Sequence, residues 1–113
     1  MCIRDSKWAE YFDAPDGRVY LAEVDGEAVG MAYGVPGERT ELRNLYLLEE
    51  AAGNGISEQL LDAVVRPGEP AFLWVADFNE RAQAFYTKQG FAFDGEETYH
   101  AGDGITLKRM VRD

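Results

Sequence analysis

The sequence predicts an α/β chain, an α+β mixed sheet in the order β-β-β-α-β-α-β-β. Three observations predict it. Two alternating stretches flank Asp25-Gly26, the dipeptide of a tight hairpin. An amphipathic stretch over 56–65 lies between two apolar, strand-like runs, as in a parallel crossover. A second helix-like stretch is bracketed by Asn79 and Gly90, and two further strand patterns close the chain.

Taken in order, 8–12 has the pattern of a short helix and "APDG" (14–17) that of a turn. "RVYLAEV" and "EAVGMAYGV" read as the hairpin strands, and "PGE" ends the second. "TELRNLYLL" (40–48) is a third strand, apolar and aromatic towards its end. In "GISEQLLDAVV", Ile56, Leu60, Ala63 and Val64 recur at helical spacing, and Leu61 and Val65 widen the stripe. Pro67 cannot continue that helix. "AFLWVAD" (71–77) is a continuous apolar run and reads as a buried strand. "NERAQAFYTKQG" is a helix of two to three turns with Asn79 as N-cap and Gly90 past its end. "FAFDGEETY" and "GITLKRMV" are the last two strands. A strand, a helix and a strand over 40–75 imply a parallel pair at the centre of the sheet, with antiparallel hairpins outside it.

At 113 residues the chain makes one domain, 1–113, with a single core. Hydrophobic residues make up 46% of it, which favours a packed globule over disorder. There is no apolar run of membrane-spanning length and no signal-peptide pattern, so a cytoplasmic protein off the membrane is expected. One cysteine, Cys2, excludes an internal disulfide and a multi-cysteine metal site; no metal is expected. The net charge of −10, without a Lys/Arg cluster, argues against nucleic acid as a partner. The acidity suits a cationic substrate such as an amine, and equally a solvated acidic surface.

The stretch that carries chemistry is "EEAAGNGISEQLLDAV". Gly53 and Gly55 precede a helix whose first backbone N–H groups lack intrahelical partners, so the turn is a ready anion site. A Walker loop is excluded because no Lys follows Gly55. A dinucleotide fingerprint fits Gly53 and Gly55 but meets Glu58 at the third glycine position, although Asp77 lies near the ribose-acid distance. The plain alternative is a tight turn.

The loop is accompanied by "LWVADFNERAQAFYTKQGF" and a last strand ending "KRMVR". Together these resemble the GNAT superfamily of N-acetyltransferases. Its Q/R-x-x-G-x-G/A loop corresponds to Ala52-Gly53-Asn54-Gly55-Ile56-Ser57. Its later helix corresponds to Asn79, Phe85-Tyr86 and Gly90-Phe91. The resemblance runs from about Arg18 to Arg112.

It implies acetyl-CoA as cosubstrate and acetyl transfer to a primary amine of a small molecule or peptide. The loop (Ala52, Gly53, Asn54, Gly55, Ile56, Ser57) would bind the pyrophosphate. The backbone of Leu47 and Leu48 would hold the pantetheine arm in a gap where the two central parallel strands splay. Asn79 and Tyr86 would complete the cofactor site. The resemblance makes Tyr86 the acid for the departing thiolate, against the alternative of a locally bonded core tyrosine. It makes Glu41 the candidate base, against that of a solvated strand acid. His100, the one histidine, reads as a surface residue.

Three departures accompany the match. Ala52 replaces the usual Arg or Gln and Glu49 and Glu50 add negative charge, so weaker CoA binding is expected. Ser57 replaces the last Gly/Ala. The family's first strand and helix are missing, so the chain reads as N-terminally truncated, with 1–6 as non-native sequence and an open sheet edge. Two other functions stay open: a non-catalytic acyl-CoA-binding module or inactive fragment, and an α+β domain that forms a homodimer through that edge.

Overall fold

The computed structural model describes residues 2–5, 17–51, 53 and 55–113. They form a seven-stranded sheet and two helices. The strands are β1 (Cys2–Asp5), β2 (Arg18–Val24), β3 (Glu27–Val35), β4 (Thr40–Leu47), β5 (Ala71–Ala76), β6 (Ala92–His100) and β7 (Ile105–Arg112). The helices are α1 (Ile56–Val64) and α2 (Glu80–Lys88), and a short 3-10 turn covers Glu49–Ala51. Spatial order is β1-β2-β3-β4-β5-β7-β6. All pairs are antiparallel except β4–β5.

The mixed sheet and its central parallel pair are as expected. The sequence reading starts the sheet at Arg18, whereas Cys2–Asp5 pairs with Asp5↔Tyr20 through Cys2↔Glu23 and covers that edge of β2. Four residues, two of them charged, carry too little alternation to announce a strand. The expected helix at 8–12 and most of the "APDG" turn lie outside the described residues.

The hairpin turn forms at Asp25 (φ 53°) and Gly26 (φ 82°), the left-handed pair whose twist matches the flanking strands. α1 packs on β2, β3 and β4. It buries Ile56, Leu60, Leu61 and Val64 against Ala22, Ala32, Leu42 and Leu73. We call this the inner face. Each of the buried Ile, Leu and Val side chains contributes about 1.5–3 kcal/mol when removed from water. The expectation of a fully buried fifth strand needs correction. In β5, Ala71, Leu73 and Val75 are buried while Phe72, Trp74 and Ala76 are half-buried. The run is apolar throughout, but its outer side chains are only half covered. There the Arg109 guanidinium lies 5.9 Å from the Trp74 ring centre.

Two irregularities shape the middle of the sheet. Opposite β3, Tyr33 pairs with Asn44 and Gly34 with Leu42, so Arg43 is an extra residue, a bulge in β4. It shifts the side-chain phase by one. Leu42 is on the inner face before the bulge and Leu45 and Leu47 are after it, while Arg43 and Asn44 are both exposed. The second is the parallel ladder, which pairs Thr40↔Ala71, Glu41↔Phe72 and Leu42↔Leu73 and stops. β4 runs on to Leu47 and β5 to Ala76 without further pairing to each other. The centre of the sheet therefore splays open.

Candidate active site

A cavity of about 560 Å³ opens above the splay, between the amino ends of α1 and α2. Leu45, Tyr46 and Leu47 of β4 form one wall. Gly53, Gly55, Ile56, Ser57 and Glu58 form the loop side. Asn79, Arg81, Ala82, Phe85 and Tyr86 come from α2.

The loop is built for close approach. Gly53 (φ 86°) and Gly55 (φ 74°) both take left-handed backbone, which a side chain would strain. A Cβ on Gly53 would meet nothing within 4 Å, so that glycine serves backbone conformation and leaves open space in front of it. Gly55 is the N-cap of α1, and the first intrahelical bond is Gln59 N–H to Gly55 O at 3.2 Å. The N–H groups of the first turn before it point out of the helix without intrahelical partners.

The strand side supplies backbone groups. Leu48 N–H donates to Val29 O at 2.8 Å, so Leu48 is turned towards β3. In an antiparallel strand successive residues alternate, so the N–H and C=O of Leu47 and of Leu45 face the gap where β5 has diverged. Of the expected pair, then, Leu47 presents its backbone to the cavity and Leu48 is committed to the sheet. Leu45 presents its backbone there as well. The bulge at Arg43 decides this phase, and no sequence pattern announces it.

α2 is set by contacts at both of its ends. Asn79 Oδ1 accepts from Ala82 N–H at 3.1 Å, the expected N-cap. Gln83 Nε2 donates to Ala76 O and Asp77 O at 2.9 and 3.2 Å and ties the helix to the end of β5. At the other end Phe91 N–H donates to Tyr86 O (3.0 Å) and Gly90 N–H to Thr87 O (3.1 Å), a Schellman closure. Its usual apolar contact is the Tyr86–Phe91 ring pair, edge-to-face at 5.8 Å. The Phe85 ring also lies edge-to-face with Tyr86, at 5.3 Å. Arg112 Nη1 donates to Gln89 O at 2.9 Å, a cation at the negative end of the helix.

Tyr86 thus contacts two rings and lines the cavity. Burial raises its phenol pKa above the ordinary value of 10.0, so the hydroxyl keeps its proton at neutral pH. Among the described residues no hydrogen bond to that hydroxyl is present, which leaves it available to a ligand.

Glu41 is not among the residues lining this cavity. It lies on the outer face of β4, next to the vertex where the ladder ends, and its Oε1 accepts from Arg43 Nε at 2.9 Å. That bond raises the Arg43 pKa. His100 ends β6 and is exposed. Ala52 and Asn54 lie outside the described residues. Arg81 and Tyr46 line the cavity without having been singled out in the sequence, and Glu58, which the sequence marks only as a mismatch to a dinucleotide fingerprint, lines it too. An exposed charge on a helix and an aromatic at a strand end have no pattern of their own. Among the described residues no His/Cys/Asp/Glu group has metal-binding geometry, and no helix is long and apolar enough to cross a membrane.

The family model described as the Acetyltransferase (GNAT) family matches residues 2–91. The chain belongs to the GNAT acetyltransferase family. It is 33% identical over 121 residues to an uncharacterized N-acetyltransferase of Mycobacterium tuberculosis, and equally to one of Mycobacterium bovis. That alignment covers 96% of this chain and 78% of the relative. A solved structure of nourseothricin acetyltransferase shares the fold, with a TM-score of 0.76 and 22% identity over 87% of this chain. The chain spans 65% of that protein's length. A GNAT family acetyltransferase from Elizabethkingia anophelis, solved with acetyl-CoA bound, gives a TM-score of 0.74 at 18% identity. There the match covers 99% of this chain and 97% of the other. Acetyl transfer in general is therefore the activity of the family to which this GNAT chain belongs.

Proposed function

We propose that this chain is an acetyl-CoA-dependent N-acetyltransferase acting on a primary amine of a small molecule or peptide. The observation that carries the reading is the juxtaposition in one cavity of an unpaired strand edge, a glycine turn at a helix start and a protonated tyrosine. The residues fit acetyl-CoA. The Gly53–Gly55 turn and the first N–H groups of α1 suit a pyrophosphate. Leu45 and Leu47 offer the backbone groups of a missing neighbour strand to the amides of a pantetheine arm. Asn79, its Oδ1 already capping α2, has its amide N–H groups to give.

When bound, acetyl-CoA supplies an activated thioester. The chain then has three tasks. The splay aligns donor and acceptor, which accounts for much of the rate in a two-substrate transfer. Tyr86 holds a proton at its hydroxyl for the leaving sulfur. Glu41, beside the vertex of the splay on the outer face, accepts the amine proton directly or through a water, from an amine that enters on that face. Its Arg43 contact fixes the side-chain direction.

The test is release of free thiol when acetyl-CoA and a panel of primary amines are added to the chain. Amine-dependent release is expected. One observation favours a second reading, that of a non-catalytic acyl-CoA-binding module: Glu41 is absent from the cavity that holds Tyr86. That reading predicts one-to-one binding with no thiol release for any amine.

A further inference from the structure

Among the described residues the cavity contains one cation. Arg81, in the first turn of α2, is the only basic residue lining it among the described residues, in a chain of net charge −10. The other charges near the loop are acidic: Glu49 and Glu50 lie just before the glycines, and Glu58 lines the cavity. The Glu58 carboxylate is 3.8 Å from where a Cβ on Gly55 would sit, so it lies over the start of α1. Neither Arg81 nor Glu58 forms an ion pair within the described residues. An Arg with no ion-pair partner among the described residues, lining the same cavity as the glycine turn at the start of α1, is a phosphate-recognition group in waiting.

We infer that Arg81 grips the pyrophosphate of CoA from the α2 side, providing the positive charge that the loop itself lacks at Ala52. This rests on the acetyl-CoA reading and deepens it. The loop N–H groups and the guanidinium then close on the same phosphates from opposite walls. The weak CoA binding expected from Ala52 is offset by a residue 29 positions further along the chain. Arg81 acts as a binding residue and touches no reacting atom.

The experiment is calorimetric titration of the parent chain, Arg81→Ala and Arg81→Lys with acetyl-CoA, 3′-dephospho-CoA and S-acetylpantetheine, which has no pyrophosphate. Arg81→Ala should weaken acetyl-CoA and 3′-dephospho-CoA by the same factor, about tenfold for an exposed charge-assisted contact. It should leave S-acetylpantetheine unchanged, and Arg81→Lys should recover part of the loss. Unchanged acetyl-CoA affinity in Arg81→Ala overturns this inference and leaves the functional reading standing. A penalty that disappears with 3′-dephospho-CoA assigns the guanidinium to the 3′-phosphate and overturns the pyrophosphate assignment. A folded parent chain that binds none of the three overturns the functional reading and this inference with it. Circular dichroism of Arg81→Ala separates lost binding from lost folding.

Discussion

At the scale of single residues the account rests on Tyr86 and Glu41, which the fold treats differently. Tyr86 is clamped by Phe85 and Phe91 and is pushed towards a higher pKa by burial. Its neutral form is thus the resident one throughout the physiological range. Tyr86→Phe should lower turnover about 100-fold, the lower end for loss of a positioned acid, with little change in acetyl-CoA affinity. Because the phenol pKa is raised, the parent should lose activity through this group only above pH 10, and the variant should lack that alkaline limb. Unchanged turnover removes Tyr86 from the role. Glu41 is reached by Arg43 on the other side of the strand. Glu41→Gln should lower kcat/KM about 100-fold. Turnover equal to that of the parent would leave Glu41 as a partner of Arg43 and nothing more.

At the scale of elements, the closure of α2 holds the site in place. Gly90 has φ 94°, and a Cβ there would meet Arg112 Cδ at 3.3 Å. Gly90→Ala should cost about 1–2 kcal/mol in urea unfolding, from left-handed strain and the displaced Arg112. A loss smaller than that of an exposed helix substitution would show that the closure contributes little. The sequence made this element legible because its caps are local: Asn79 and Gly90 are read from residue type alone. α1 was legible from its period, and the hairpin from Asp25-Gly26. The features that need tertiary context were not. The Arg43 bulge, which exchanges Leu48 for Leu45 at the cavity, follows from register against β3. Strand β1 follows from pairing, not from pattern. The apolar run of β5 looked buried on both sides because composition does not report which face a helix covers. Arg81 looked like any solvated helix charge until the fold set it opposite the glycine loop.

At the scale of the whole molecule, the Arg18–Glu69 ion pair joins distant parts of the chain. Arg18 at the start of β2 forks onto Glu69, in the connection from α1 to β5, at 2.7 and 3.2 Å, and also donates to Val64 O at 3.0 Å. The Arg18 hydrogen bonds hold the Glu69 carboxyl at about 2, against 4.5 for the free group. A depressed carboxyl stabilises the fold above its unfolded pKa, and that stability is lost as pH falls from about 4.5 through about 2. Both side chains retain solvent contact, so screening reduces the effect to about 1 kcal/mol. Glu69→Gln should cost about that much at pH 7, and the difference from the parent should vanish towards pH 2 in acid-unfolding curves. A constant difference across that window would assign the cost to packing.

The central claim is that the splayed strands and the glycine turn form a working acetyl-CoA site, and calorimetric titration of the chain with acetyl-CoA tests it most directly. The account predicts one-to-one binding in the micromolar range, near −8 kcal/mol. A folded chain that takes up no acetyl-CoA would contradict it.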